Sequence, residues 1–165
     1  MAKNRFSESH GIMPLSVSSG LDYNTGGDLD SFDMSKYNHA TIIIIADANV
    51  AGAGVLTIYG GATDGAKTAA ATFTYRYSAG NVLAASSDVL GTAATSAALT
   101  LTAASLVSRM IVCELDAADL QISGTQYRYA TPSLSAAGTA GVCTAVVILS
   151  EPRYLEAVMD TANPA

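Results

Sequence analysis

The segment from Asp22 to Asp33, DYNTGGDLDSFD, places oxygen-bearing side chains close to the spacing of a calcium-binding loop. Such a loop takes ligands at positions 1, 3, 5, 7, 9 and 12, with glycine at position 6. The candidate ligands are Asp22, Asn24, Asp28, Asp30 and Asp33. Against calcium, Gly26 has no side chain at the fifth position, and neither flank has a helical pattern. Because these residue types are also ordinary in turns, we interpret the segment as a solvated acidic loop and keep calcium as the alternative.

The other reactive side chains show no catalytic spacing. His10 and His39 are the histidines of the chain, and no G-x-S-x-G nucleophile elbow accompanies them, so we interpret His39 as a strand-edge residue. Cys113 and Cys143 lie in apolar runs without zinc-type spacing. We expect both thiols to be buried and unreactive, with a disulfide or a catalytic thiol as the alternatives. The sequence predicts neither an enzyme nor a cofactor.

Two Tyr-Arg-Tyr triplets, at 75–77 and 127–129, could form an aromatic surface. If the two strands that carry them pair, their arginines face the same side. Tyrosine and arginine are enriched at protein interfaces, and an aromatic face can also bind sugar. Packing in the core or between subunits is the alternative. The candidate interface aromatics are Tyr75, Tyr77, Tyr127 and Tyr129.

Short apolar runs separated by turn residues must position these side chains. Residues 71–78 alternate aromatic and polar types with a period of two, which is typical of a strand. The predicted strands are 40–47, 54–61, 71–78, 81–85, 97–104, 109–116, 125–131 and 143–150. Residues 105–110 and 116–121 are each predicted to form at most a short helical turn. About eight strands without a long amphipathic helix predict an all-β, antiparallel sandwich or barrel.

Composition excludes several classes of partner. The chain has 165 residues, the size of one domain, with 50% hydrophobic and only 13% charged residues. A surface so poor in charge indicates partial cover by a partner. The net charge is −6 and the basic residues form no cluster, so nucleic acid is excluded as a direct ligand. The run ATIIIIA is too short to cross a membrane, and the N-terminus has no secretory signal pattern, which predicts synthesis in a cytoplasm.

We expect three segments: an irregular N-terminal arm with the acidic loop at 1–39, a sandwich at 40–154 and a tail at 155–165. The arm has few periodic apolar positions, so it cannot form much core of its own. Ordering it costs about 1–2 kcal/mol per residue, which burial against a partner would offset. The predicted partner-binding residues are Phe6, Ile12, Met13, Leu15 and Val17. The alternative is that the arm packs along its own sandwich as an extra edge strand.

Four motifs occur in an order that resembles a known group of proteins: DMSKYNHATIIII, TFTYRYSAG, MIVCELDAADL and AVVILSEPRY. The chain is similar, over roughly residues 30–154, to small structural proteins of tailed bacteriophages that serve as capsid decoration, or cement, proteins. The resemblance is one of strand motifs, so it assigns no functional residue to this chain.

The resemblance implies a jelly-roll sandwich that forms a homotrimer on the outer surface of an icosahedral capsid. Its partners would be the major capsid protein and its own copies, and it would be made in the host cytoplasm. A trimer that binds equivalent lattice sites gains avidity without new contacts. Two alternatives stay open: a carbohydrate-binding jelly-roll module that uses the tyrosines, and a component at the base of a tail or head fibre.

Overall fold

The computed structural model describes residues 6–17, 19–47, 51–80, 89–138 and 140–153. Most of the regular structure in these residues is β-strand. The strands are β1 (Gly11–Pro14), β2 (Leu21–Asp22), β3 (Gly27–Asp28), β4 (Phe32–Asp33), β5 (Tyr37–Ala46), β6 (Ala53–Gly61), β7 (Ala69–Ala70), β8 (Phe73–Tyr77), β9 (Ala94–Ser96), β10 (Leu99–Thr102), β11 (Met110–Asp116), β12 (Gln121–Ile122), β13 (Thr125–Gln126), β14 (Tyr129–Leu134) and β15 (Val142–Pro152). The helical elements are α1 (Phe6–Ser9), α2 (Ala103–Leu106) and a 3-10 turn at Ala117–Leu120.

Two antiparallel sheets pack face to face. Sheet A has the order β1-β15-β5-β11-β8-β9, with β2 also paired to β15. Sheet B has the order β10-β6-β14-β3, with β4 on β14 and β7 on β6. Successive long strands cross from one sheet to the other, as they do in jelly-roll sandwiches. The predicted all-β antiparallel sandwich is confirmed.

The core lies between the inward faces of the two sheets. From Ala40 onward the even-numbered residues of β5 point inward, and Ile42 and Ile44 belong to the same buried cluster as Leu56 and Ile58 of β6. Burial of each such side chain contributes about 1.5–3 kcal/mol. β5 pairs with β15 on one side and β11 on the other, so the chain segment with four successive isoleucines forms the centre of sheet A.

The strand predicted over 125–131 is divided in the structure, because β13 ends at Gln126 and β14 runs from Tyr129 to Leu134 and contains Pro132. Proline has no backbone N–H to donate to a neighbouring strand, so a proline in a sequence usually argues against a central strand. Here Pro132 lies where the second neighbour of β14 changes from β4 to β3, so little pairing is lost. The helical turn predicted at 116–121 corresponds to Ala117–Leu120, whereas α2 begins at Ala103 and overlaps only the first two residues of the turn predicted at 105–110. The predicted strand at 81–85 and the tail at 155–165 lie outside the described residues.

The N-terminal segment differs from the predicted arm, because it is built into the sandwich. β1 pairs with β15 along Gly11–Pro14, which is the arrangement given as the alternative. Leu15, Tyr23 and Phe32 are fully buried in the core. Their side chains come from loops and two-residue strands, so they carry no periodic signal that a sequence pattern could reveal.

Candidate interaction surface

The acidic loop is fastened to the sandwich through separate partners for its carboxylates. Asp22 accepts a hydrogen bond from the backbone N–H of Asn24 at 2.9 Å, which makes an ordinary turn. Asp28 accepts hydrogen bonds from Lys67 at 2.7 Å and from Ser133 at 2.6 Å. In the part of the chain that the structure describes, no three His, Cys, Asp or Glu side chains are grouped to hold a metal ion.

Two of these carboxylates are held in their charged form. The hydrogen bond from Lys67 lowers the pKa of Asp28, and Ser133 adds to this effect. Partial burial would raise the pKa of Asp33, but hydrogen bonds from Arg128 and Ser35 outweigh it, so that this pKa is also lowered. The Arg128 Nε donates to Asp33 at 3.0 Å. The loop carboxylates therefore anchor the loop to sheet B.

His39 belongs to a short chain of polar contacts on sheet A. Its Nδ1 lies 2.7 Å from Asp116 Oδ1, and its Nε2 lies 3.4 Å from the Thr41 hydroxyl. This is the order of groups in a hydrolase triad. However, Thr41 lies inside a strand paired on both sides, where the ladder engages the backbone N–H groups that an oxyanion hole would need. His39 is not the strand-edge residue that the sequence predicted, because it lies inside β5 and pairs with Asp116 of β11 and with Ser150 of β15.

The two tyrosine triplets do not share a face, because their strands do not pair. Tyr75 and Tyr77 belong to β8 in sheet A, whereas Tyr129 belongs to β14 in sheet B. Tyr75 and Tyr77 pack edge to face at 5.6 Å against the core. Tyr127 packs over Gly60, where a Cβ atom would lie 2.9 Å from its ring. Three of the predicted aromatics thus contribute to packing, and Tyr129 contacts the Arg128 guanidinium 5.1 Å from its ring centre.

The predicted partner-binding residues divide into two groups. Leu15 is only 2% exposed, and Met13 is partly buried against the core, so both side chains are engaged within this fold. Phe6, Ile12 and Val17 remain exposed, at 53%, 50% and 70%. Ile12 differs from the other two because it lies in a strand, at a position facing outward from sheet A.

The outward face of sheet A carries a continuous set of apolar side chains, which we call the apolar stripe. Strand register places Ile12 beside Ile148, and Ile45 beside Met110. Between these pairs, one row crosses four adjacent strands. The members of the stripe are Ile12, Pro14, Ile43, Ile45, Met110, Val112, Val146 and Ile148. Ile45 is 45% exposed, and Val112 is shielded by its neighbours although it is outside the core cluster.

The outward face of sheet B is more polar than that of sheet A. It carries Thr100 on β10, the buried Thr57 on β6 and Ser133 on β14, with the Asp28–Lys67 pair beside them, and Val55, Tyr59 and Tyr129 share this face. The exposed large hydrophobic residues of the described chain lie on sheet A or in segments that adjoin it: Phe6, Ile12, Val17, Ile45, Val89 and Leu90. One side of the sandwich therefore has the chemistry of a buried surface.

A signal for this surface is present in the sequence. Strands covered on both faces form continuous runs of Val and Ile, whereas strands with one solvated face alternate. The runs 42–45 and 145–149 are continuous, yet the residues that the structure describes form a core only on their inward face.

No protein-family model and no curated protein sequence matches this chain. Among solved structures, the chain is similar to the SPBc2 prophage-derived protein YomS, with a TM-score of 0.51. The match covers 86% of this chain and 93% of that chain, at 11% sequence identity. At this identity the likeness is one of fold, so the two proteins share the sandwich architecture over most of their length. Among the described residues, no helix has the length and apolar character needed to cross a bilayer.

Proposed function

We propose that this protein is a structural component of a bacteriophage particle that coats the outer surface of the icosahedral capsid. It binds the major capsid protein lattice as a homotrimer and stabilises the shell. The observation that carries the proposal is the difference between the outward faces of the two sheets. Sheet A presents the apolar stripe and sheet B presents threonine, serine and an ion pair. A sandwich of this kind is suited to assembly through one side.

Two further observations support a role in a phage particle. The fold is similar to that of a prophage-derived protein across most of both chains. The low charge content, 13% of residues, also suits a protein whose surface is partly covered in an assembly. In a lattice, several weak contacts per trimer sum to firm attachment.

The test is to mix the purified protein with shells of the parent phage that lack it, and to separate bound from free protein on a gradient. We expect saturable co-sedimentation, together with extra density on the outer surface of the shell in electron micrographs. Shells that already carry the protein are the matched control, because their sites are filled. Failure to bind bare shells, or density at the tail or at a fibre base, would contradict the proposal.

A second candidate function, sugar binding, is favoured by a polar cleft of about 580 Å³. Its polar lining residues are Asn38, Asp116, Gln121, Gln126, Glu151 and Arg153. Amide and carboxylate groups of this kind can hydrogen-bond sugar hydroxyls. The predicted tyrosines do not line this cleft. Saturable oligosaccharide binding to the wild type, with no binding to Gln121→Ala, would favour this function. A titration that shows no binding to the wild type would contradict it.

A further inference from the structure

We propose that a second copy of this chain covers the apolar stripe, so that the stripe is one half of the contact between subunits. The inference rests on the proposed homotrimer, to which it assigns a surface. A capsid protein and the chain's own C-terminal segment are the other possible occupants, and the experiment below separates them.

The chemistry of the stripe matches that of a contact between copies. The outward residues of the stripe are of the same apolar types as the inward residues of the same strands. Ile43 and Ile45 alternate with the core residues Ile42 and Ile44 along β5. Permanent interfaces between identical chains resemble a domain core cut in half, whereas transient interfaces are about as polar as ordinary surface. The stripe contains no charged residue. It therefore fits a permanent contact better than a transient one.

The stripe is the apolar centre of a larger outward face. Strands lie about 4.8 Å apart and outward rows about 6.8 Å apart, so the eight residues of the stripe cover roughly 260 Å² of flat sheet. A stable contact buries about 800 Å² on each partner. The polar residues Thr41, Arg76, Glu114 and Thr144 also face outward on β5, β8, β11 and β15, and this polar rim enlarges the face that a second copy can cover.

Charge at the rim permits association of copies despite the net charge of −6 on each chain. Glu114 and Arg76 lie on the outward face of sheet A, on the adjacent strands β11 and β8. Asp116 also faces outward on β11, so the face carries both signs of charge, and a neighbouring copy can meet opposite charge as well as like charge. The driving force comes from the uncharged stripe.

A closed ring of three copies joins two different surfaces of each copy. The second surface is the pair Val89 and Leu90, which are exposed by 53% and 38%. Leu90 bridges to Ser78, just beyond β8 and on the far side of the polar rim from the stripe. In this arrangement the stripe of one copy packs against the Val89–Leu90 pair of the next.

The experiment measures the mass of the free protein by sedimentation over a range of micromolar concentrations. We expect the mass of three chains for the wild type. Ile45→Lys and Leu90→Lys each place a charge in the contact, so each is expected to raise the dissociation constant at least about tenfold. Thr100→Lys is the matched control, because it adds the same charge to an exposed strand position on sheet B, and it is expected to keep the wild-type mass.

Folding is checked for each variant by circular dichroism. Ile12→Lys, on the edge strand β1 and half exposed, provides a second disruption of the stripe if Ile45→Lys does not fold. A wild-type protein that is one chain at every concentration, or an Ile45→Lys variant that stays trimeric, would overturn the proposal. A mass of two chains unaffected by Leu90→Lys would overturn the ring.

The same variants are tested against bare shells, which separates this inference from the proposed function. If the wild type forms trimers that do not bind shells, the subunit contact is supported and the proposed capsid role is contradicted. An Ile45→Lys variant with wild-type mass but no shell binding would assign the stripe to the capsid protein. A monomeric wild type that assembles once residues 154–165 are deleted would assign it to that segment.

Discussion

The hydroxyl of Tyr23 takes the place of a backbone hydrogen bond between β6 and β10. Gly54 and Leu101 are register partners in these strands. The Tyr23 hydroxyl accepts a hydrogen bond from Gly54 N–H at 2.9 Å and donates one to the Leu101 carbonyl at 2.6 Å. The side chain has no exposed surface, and burial raises the pKa of its hydroxyl. A loop residue thereby ties the acidic loop to two strands of sheet B.

Tyr23→Phe is expected to lower the free energy of unfolding by about 1–3 kcal/mol, because it leaves a buried donor and a buried acceptor without partners. Urea denaturation at neutral pH measures the change. Tyr59→Phe is the matched control, since Tyr59 is partly exposed on the outward face of sheet B, and it should stay within about 0.5 kcal/mol of wild type. Equal effects of the two substitutions would show that the Tyr23 hydroxyl has no such role.

The two thiols are free and separated by β5. Cys113 lies opposite Ile42 and Cys143 lies opposite Ala46, on opposite sides of that strand. Their separation is therefore roughly 16 Å, which excludes a disulfide in this fold. Burial raises the pKa of Cys113 to about 12 and that of Cys143 to about 11.

We expect neither thiol to react with a thiol reagent at pH 7 until the protein unfolds. The same pKa values predict lower stability at alkaline pH. Unfolded thiols ionise above about pH 8.5, whereas the folded ones stay protonated up to about pH 11 for Cys143 and 12 for Cys113. Each thiol therefore removes about 1.4 kcal/mol of stability per pH unit in that range, and the full stability is present below it.

Urea titrations between pH 7.5 and 10.5 measure this loss. A variant with both Cys113→Ala and Cys143→Ala should lose stability less steeply, whatever its stability at neutral pH. A slope remains in that variant at the alkaline end, because burial also raises the pKa of Tyr23 and of Tyr77. Rapid labelling of either thiol in the native protein, or an unchanged slope in the variant, would contradict the burial described above.

At the scale of elements, ion pairs and hydrogen bonds of the acidic loop hold β3 and β4 in place. Asp28 and Asp33 pair with Lys67 and Arg128, and Asp30 accepts from the N–H of Ser31. Composition alone could predict a loop here, since Gly, Asn and Asp are turn residues. It could not predict which carboxylate meets which base, because the partners are distant in sequence.

Millimolar calcium is expected to leave the melting temperature unchanged, because the loop carboxylates point to separate protein partners. A specific site at a hundredfold excess over its Kd would add about 2.7 kcal/mol, which is several degrees for a domain of this size. Thermal unfolding with calcium or with chelator measures the shift. An upward shift that disappears in Asp22→Ala would restore the calcium-loop interpretation.

Strand periodicity predicted the central elements well and the peripheral ones poorly. The alternation around Tyr75 and the isoleucine run of β5 depend on local pattern, which the sequence displays directly. The pairing of β1 with β15 depends on contacts between the two ends of the chain, and Pro132 is tolerated because of a change of neighbours. Such features arise from tertiary context, so local pattern does not contain them.

At the scale of the whole molecule, the two sides of the sandwich have different chemistry. The same alternation rule that predicts inward residues also predicts outward ones, and in β5 and β15 both sets are apolar. The candidate surface could therefore have been predicted from the continuous runs at 42–45 and 145–149. That Leu15 of the predicted arm is buried and Ile12 is exposed could not have been predicted, because both depend on how β1 pairs with β15.

The central position of β5 has a consequence for synthesis on the ribosome. Its neighbours in sheet A, β11 and β15, are encoded after it and begin at Met110 and Val142. At about 5–20 residues per second, the interval from Ala46 to Asp116 lasts roughly 4–14 s. During that time the segment ATIIIIA, with no charge and no proline, is an unpaired strand of the kind that aggregates. The nascent chain therefore carries an apolar strand without either of its neighbours until β11 has been made.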